Sequence, residues 1–117
     1  MRVVREFNFF DGATISAELA KLPVRDRARL IAVMEHYEQV GHTDPGPAVI
    51  DGYGGGIMRI RHARQACQGR ALFYVAASEP NRQDLIVLTV YKKESRRTPV
   101  AVLSRARMRM ELHKDRK

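Results

Sequence analysis

The stretch "DLIVLTVYKKESRRTP", residues Asp84 to Pro99, decides how the second half of the chain must fold. Its first eight residues are almost all apolar and rich in β-branched side chains, the composition of a buried strand. Four cations, Lys92, Lys93, Arg96 and Arg97, then break the apolar run. Thr98-Pro99 follows, an N-cap residue with proline at the first helical position. Leu103, Ala106 and Met110 continue with helical spacing, so the sequence predicts strand, cationic loop and C-terminal helix. By itself the loop could be a solvated connection, a grip on an acidic partner or a place for phosphate chemistry.

Upstream lie three more short β segments, "AVID", "GIMRIRH" and "RALFYVAA". The connectors "GYGG", "ARQACQG" and "SEPNRQ" are too short for helical crossovers, so the four segments read as an antiparallel meander. The N-terminal "RVVREFNFF" alternates like a strand and ends at Asp11-Gly12. Ile15, Leu19 and Leu22 then follow helical spacing, with Asp11 or Thr14 as N-cap and Glu18 near the positive end of the helix dipole. Beyond Pro23, Leu30, Val33, Met34, Tyr37 and Val40 form one stripe of a longer helix that Gly41 closes. The expected fold is α+β: an N-terminal strand and an αα-hairpin packed on a twisted, mainly antiparallel four- to five-stranded sheet, with a C-terminal helix. A length of 117 residues suits one domain, residues 1–117.

Hydrophobic residues make up 44% and charged residues 29%, a globular balance that argues against disorder. No stretch reaches the roughly 18 apolar residues of a membrane span, and the N-terminus lacks a secretory apolar region. The single cysteine, Cys67, has no internal partner, and both features favour the cytoplasm. Residues 1–58 carry 6 basic and 8 acidic side chains and residues 59–117 carry 15 and 5, so the net +8 resides in the second half, at +10. Such a field draws in phosphates.

The glycine run "GYGGG" leads into a strand rather than a helix, so it reads as a turn with positive φ, not a phosphate loop. His36, His42, His62 and His113 are scattered and Cys67 stands alone, which gives no zinc-site spacing and implies no cofactor. Along "GIMRIRH", Arg59 and Arg61 share a face with Ile57, opposite Met58, Ile60 and His62. Arg70 starts the next strand and Tyr91, Lys92 and Lys93 end the one after it. In a meander these strands are neighbours, so the six side chains are expected to converge on one solvated face. In-line attack of a 2′-hydroxyl on its neighbouring phosphate needs a base, cations for the phosphoryl oxygens and an acid for the leaving oxygen. Lysine, arginine and tyrosine can fill those roles without metal, and a tyrosine or arginine can stack on a splayed base.

The order of strand, helical hairpin and "GIMRIRH … RALFYV … LIVLTVYKKESRRTP … LSRARMRM" resembles the RelE/ParE superfamily of toxins, most closely its phage-derived HigB-like branch. Arg61 matches the strand arginine of that branch, Arg70 and Phe73 or Tyr74 the following strand, Tyr91 a phenylalanine, and Thr98-Pro99 the helix start. The family's lysine pair falls on Lys92-Lys93 or on Lys93-Glu94. Arg59 stands for the usual glutamate and Thr89 where a histidine often occurs, so the resemblance names no general base. It implies a ribosome-dependent mRNA endoribonuclease; taken with the side-chain chemistry above, the expectation is a metal-independent enzyme with Arg61, Arg70, Tyr91, Lys92 and Lys93 catalytic and Arg59, Arg96, Arg97 and Arg105 holding RNA. A cognate helix-turn-helix antitoxin, bound in a hetero-oligomer, is the implied partner. Two alternatives stand beside it: a ParE-like inhibitor of DNA gyrase, and a non-catalytic basic module that binds nucleic acid.

Overall fold

Residues 85–90 are buried without a break, which requires cover on both faces of the strand that holds them. The computed structural model, which describes residues 3–41, 43–44, 46–76 and 79–116, supplies that cover from helices on either side. The elements run β1 (Val4–Phe9), α1 (Gly12–Ala20), α2 (Val24–Val40), β2 (Ala48–Gly52), β3 (Met58–His62), β4 (Gly69–Val75), β5 (Arg82–Lys92) and α3 (Val100–Asp115). The strands form one five-stranded sheet in the order β1-β5-β4-β3-β2. β2 to β5 make the expected antiparallel meander, and β1 joins its edge parallel to β5. The α+β architecture read from the sequence is the one observed.

Two cores follow from this layering. Ile15, Leu19, Leu30, Val33, Met34 and Tyr37 of the helical hairpin pack with Ile60, Ala71, Phe73, Leu85, Val87 and Val90. On the opposite face, Val102, Ala106 and Met110 of α3 cover Ile57, Leu72, Tyr74, Ile86 and Leu88. Asp11 caps α1 as expected, its carboxylate accepting from the Thr14 amide and hydroxyl. The start of α3 differs from the sequence reading. Pro99, not Thr98, is the N-cap residue, and no side chain caps the helix. Thr98 spends its hydroxyl elsewhere.

A β-bulge shifts the register between β4 and β5, so that Leu72 pairs with Thr89 while Phe73 pairs with Val87. Leu88 packs under α3, and the next residue, Thr89, is bonded to Arg105 of the same helix. Simple alternation along β5 is therefore broken, and it resumes with Val90 toward the hairpin and Tyr91 toward α3. Beside the bulge β1 has ended, and its last bond to β5 runs from the Phe10 amide to the Val87 carbonyl. Beyond it, side chains take over the work of a strand. Glu18 of α1 accepts from the Val90 amide and the Thr89 hydroxyl, each at 2.8 Å. Arg109 of α3 donates to the Leu88 carbonyl at 2.9 Å and to Glu18 at 2.8 Å.

Glu18 thus ties α1, β5 and α3 together with a side chain that is only 14% exposed. Removing one member of a buried, hydrogen-bonded charge network costs about 3–5 kcal/mol. Glu18→Ala is expected to lose stability on that scale in denaturant unfolding. Glu18→Gln, whose amide oxygen can still accept from Val90 and Thr89, should lose clearly less; equal losses would mean that the pairing with Arg109 carries the effect.

Candidate anion-binding cleft

The strand register lines up the residues that the sequence singled out. Arg61 pairs with Arg70 across β3 and β4, and Arg70 pairs with Tyr91 across β4 and β5. Paired residues on neighbouring strands project from the same face, so the three form a row across the sheet. Arg59 lies two residues along β3, opposite Leu72. Past the end of β5 the Lys93 amide bonds the Gln68 carbonyl at 2.8 Å, which carries the ladder one step further. Arg59, Arg61, Gln65, Arg70, Lys93 and Arg96 line a cleft of about 550 Å³. Five of these six are cations and none is a carboxylate.

Arg70 departs from the solvated face that the sequence suggested. It is 3% exposed, because the central strand β4 is buried on both sides from Gly69 to Tyr74. Its Nη1 donates to the carbonyls of Cys67 and Gly69, at 2.7 and 3.1 Å, while its Nε has no partner among the described residues. Burial pulls the pKa of its guanidinium down, and the neighbouring charges of Arg61 and Arg59 add to that. Burial opposes the charge on Arg59 as well, but bonding to Asp51 and the adjacent Tyr91 oxygen outweigh it and raise its pKa. Arg59 also sits 5.5 Å from the centre of the Tyr53 ring.

Of the remaining expected residues, Arg96 joins the cleft and three stand apart. Lys92 pairs with Gly69 and, by strand alternation, leaves the Arg70 row; it lines two neighbouring clefts instead. Arg97 is exposed, and its carbonyl accepts from the Ser95 hydroxyl. Arg105 donates from Nε and Nη2 to Thr89 and borders the neighbouring cleft with Tyr91, Lys92 and Glu94.

Sequence reasoning missed Asp51, Tyr53, Gln65 and Thr98. Tyr53 follows Gly52 at the start of the glycine run, and the positive φ of Gly54, Gly55 and Gly56 makes that run the expected turn. The turn brings the Tyr53 hydroxyl within 2.7 Å of the Thr98 hydroxyl, whose other neighbour is the Tyr91 hydroxyl at 3.0 Å. No local motif announces a contact between residues 45 positions apart. Among the described residues no three His, Cys, Asp or Glu side chains gather to hold a metal ion, and His42 lies outside the described residues.

Fold and cleft together define a small α+β protein whose sheet carries a concentrated row of cations. A family model described as "Phage derived protein Gp49-like (DUF891)" matches residues 17–111, and the chain belongs to this family. Membership is consistent with the toxin of a toxin–antitoxin pair. No curated protein matches the chain significantly. None of the described helices is long and apolar enough to cross a membrane.

A buried guanidinium with an unused N–H, flanked by two more arginines, would be completed by an anion that accepts several hydrogen bonds. Inorganic phosphate at about tenfold its dissociation constant should therefore add about 1.4 kcal/mol of stability, a rise in Tm of about 5 °C. Chloride at matched ionic strength should not reproduce the rise, and Arg61→Ala should abolish it. Differential scanning fluorimetry decides the matter.

Proposed function

We propose that the protein is the toxin of a type II toxin–antitoxin pair and acts as a ribosome-dependent mRNA endoribonuclease, an mRNA interferase. The observation that carries this reading is the Arg61–Arg70–Tyr91 row beside the cationic cleft. RNA phosphate entering the cleft meets Arg61 and Arg70, which hold its non-bridging oxygens as negative charge gathers on them. The 2′-oxygen attacks phosphorus, the bond from phosphorus to the 5′-oxygen breaks, and the products are a 2′,3′-cyclic phosphate and a 5′-hydroxyl. Tyr91 is the group to protonate the departing 5′-oxygen, and the neutral amine form of Lys93, on the cleft wall, is the candidate to take the 2′-hydroxyl proton.

Side chains fill each role, so the reaction is proposed to run without metal. Arg59 and Arg96 extend the phosphate grip. Lys92 and Arg105 border the adjoining cleft, where flanking nucleotides would lie. The partner is a cognate helix-turn-helix antitoxin, with an acidic segment competing for the cationic face, and the site of action is mRNA on the ribosome in the cytoplasm.

Cleavage of mRNA on translating ribosomes, with chelator present and magnesium kept only at the level ribosomes require, is the direct test. Arg61→Ala should slow it by about 10²–10³, the usual loss for one preorganised donor. Tyr91→Phe should cost about 10² or more if the hydroxyl moves a proton. Folding of both variants is checked by thermal unfolding. Wild-type protein that binds RNA without cutting it would leave the non-catalytic module as the better reading.

A further inference from the structure

Thr98 was expected to cap α3, and instead its hydroxyl stands between two phenols. Tyr53 Oη lies 2.7 Å and Tyr91 Oη 3.0 Å from Thr98 Oγ1. Three separate constraints hold this chain in place. The glycine turn fixes Tyr53, whose amide bonds the Ile57 carbonyl at 2.9 Å. The β-bulge sets the face on which Tyr91 emerges. Pro99 follows Thr98 directly, with φ of −58°, and limits the backbone of the residue before it. Tyr53 and Tyr91 are both partly buried against the α3 side of the sheet.

Three hydroxyls hold three protons and make two hydrogen bonds between them, so one proton remains free to point outward. The Tyr91 oxygen favours the charge on Arg59. A guanidinium can only donate, so Tyr91 accepts on that side, and its own proton is left either for Thr98 or for a group outside the trio. Either hydroxyl of each pair can be the donor, and one direction of the chain has Tyr53 donating to Thr98 and Thr98 donating to Tyr91. In that direction the free proton is the one on Tyr91, next in the row to Arg70.

We propose that Thr98, backed by Tyr53, is a positioning residue that holds the Tyr91 phenol with its proton free for transfer to the leaving 5′-oxygen of RNA. The inference rests on the endoribonuclease reading above. Thr98 touches no substrate atom in this scheme. It acts through Tyr91, and the proton that Tyr91 gives up is recovered from solvent after product leaves.

The test is cleavage on translating ribosomes by Thr98→Val, Thr98→Ser, Tyr53→Phe and Tyr91→Phe, with Thr98→Val also placed in the Tyr91→Phe background. Thr98→Val is isosteric and removes the hydroxyl; it should slow cleavage about tenfold or more, as misplacement of a reacting group does. Thr98→Ser restores the hydroxyl and should recover most of the rate, and Tyr53→Phe should fall between them. Residues acting as a unit are non-additive, so in the Tyr91→Phe background Thr98→Val should cost almost nothing further. Thermal unfolding of each variant separates a displaced phenol from a damaged fold.

Full activity of Thr98→Val, failure of Thr98→Ser to rescue, or an undiminished loss in the Tyr91→Phe background would each overturn the positioning role while leaving the nuclease reading intact. Absence of cleavage by the wild type, or a silent Tyr91→Phe, would instead sink the nuclease reading or its acid, and Thr98's assignment with it.

Discussion

The carboxylate of Glu18 is where this fold is closed. β1 is too short to accompany β5 to its end, which leaves the Val90 amide and the Leu88 carbonyl facing no strand. An unpaired buried backbone group costs about 1–3 kcal/mol, and here two stand side by side. Glu18 takes the amide and Arg109 the carbonyl, and the two side chains bond each other. A strand edge that would otherwise need more sheet is finished by one residue from the hairpin and one from the last helix. Because those two helices lie on opposite faces, the same contact also locks the layers together.

The bulge beside that contact determines what the sheet can do. A one-residue shift in a strand exchanges its two faces. Strict alternation from Leu85 would turn Tyr91 toward the helical hairpin and away from Arg70. The extra residue at Leu88–Thr89 puts Tyr91 on the α3 side, in the same row as Arg61 and Arg70. Thr89, completely buried, is held there by Glu18 and Arg105. The network that finishes the sheet edge therefore also fixes the position of the tyrosine, and structure and candidate chemistry share one set of side chains.

Fold was legible where it depends on local pattern. The apolar run of residues 85–90, the stripes of α1 and α2, the Asp11 cap and the Gly41 stop are all consequences of composition at fixed spacing, and each element lies where that spacing put it. Convergence of Arg59, Arg61, Arg70 and Lys93 was legible too, because a meander makes neighbours of consecutive strands. The bulge was not, since no residue in "LIVLTVY" marks it and only the tertiary setting of Thr89 reveals it. The departure of Lys92 follows from the same parity of β5. Burial of Arg70 was hidden because a sequence shows a charge and not the neighbouring strands and the Cys67 turn that enclose it. Thr98 misled for a physical reason: a hydroxyl before proline is a good cap, and here two tyrosines from distant segments claim it.

A cleft lined by five cations stays attractive to anions only if nearby carboxylates are occupied. Asp51 is paired with Arg59, and Glu18 is spent on backbone, Thr89 and Arg109. Glu94 borders the adjoining clefts rather than this one. Asp84 is bound to Arg82, which also reaches Glu6 across to β1. Asp51, Glu18, Asp84 and Glu6 thus hold the scaffold, and Arg61 of β3 and Arg70 of β4 are left side by side. Burial above all, and then the charges of Arg61 and Arg59, push the pKa of Arg70 down, so holding its charge there works against the folded state. A ligand that brings negative charge and acceptor oxygens to the row would relieve that cost, and the proposed phosphate site would draw part of its affinity from this.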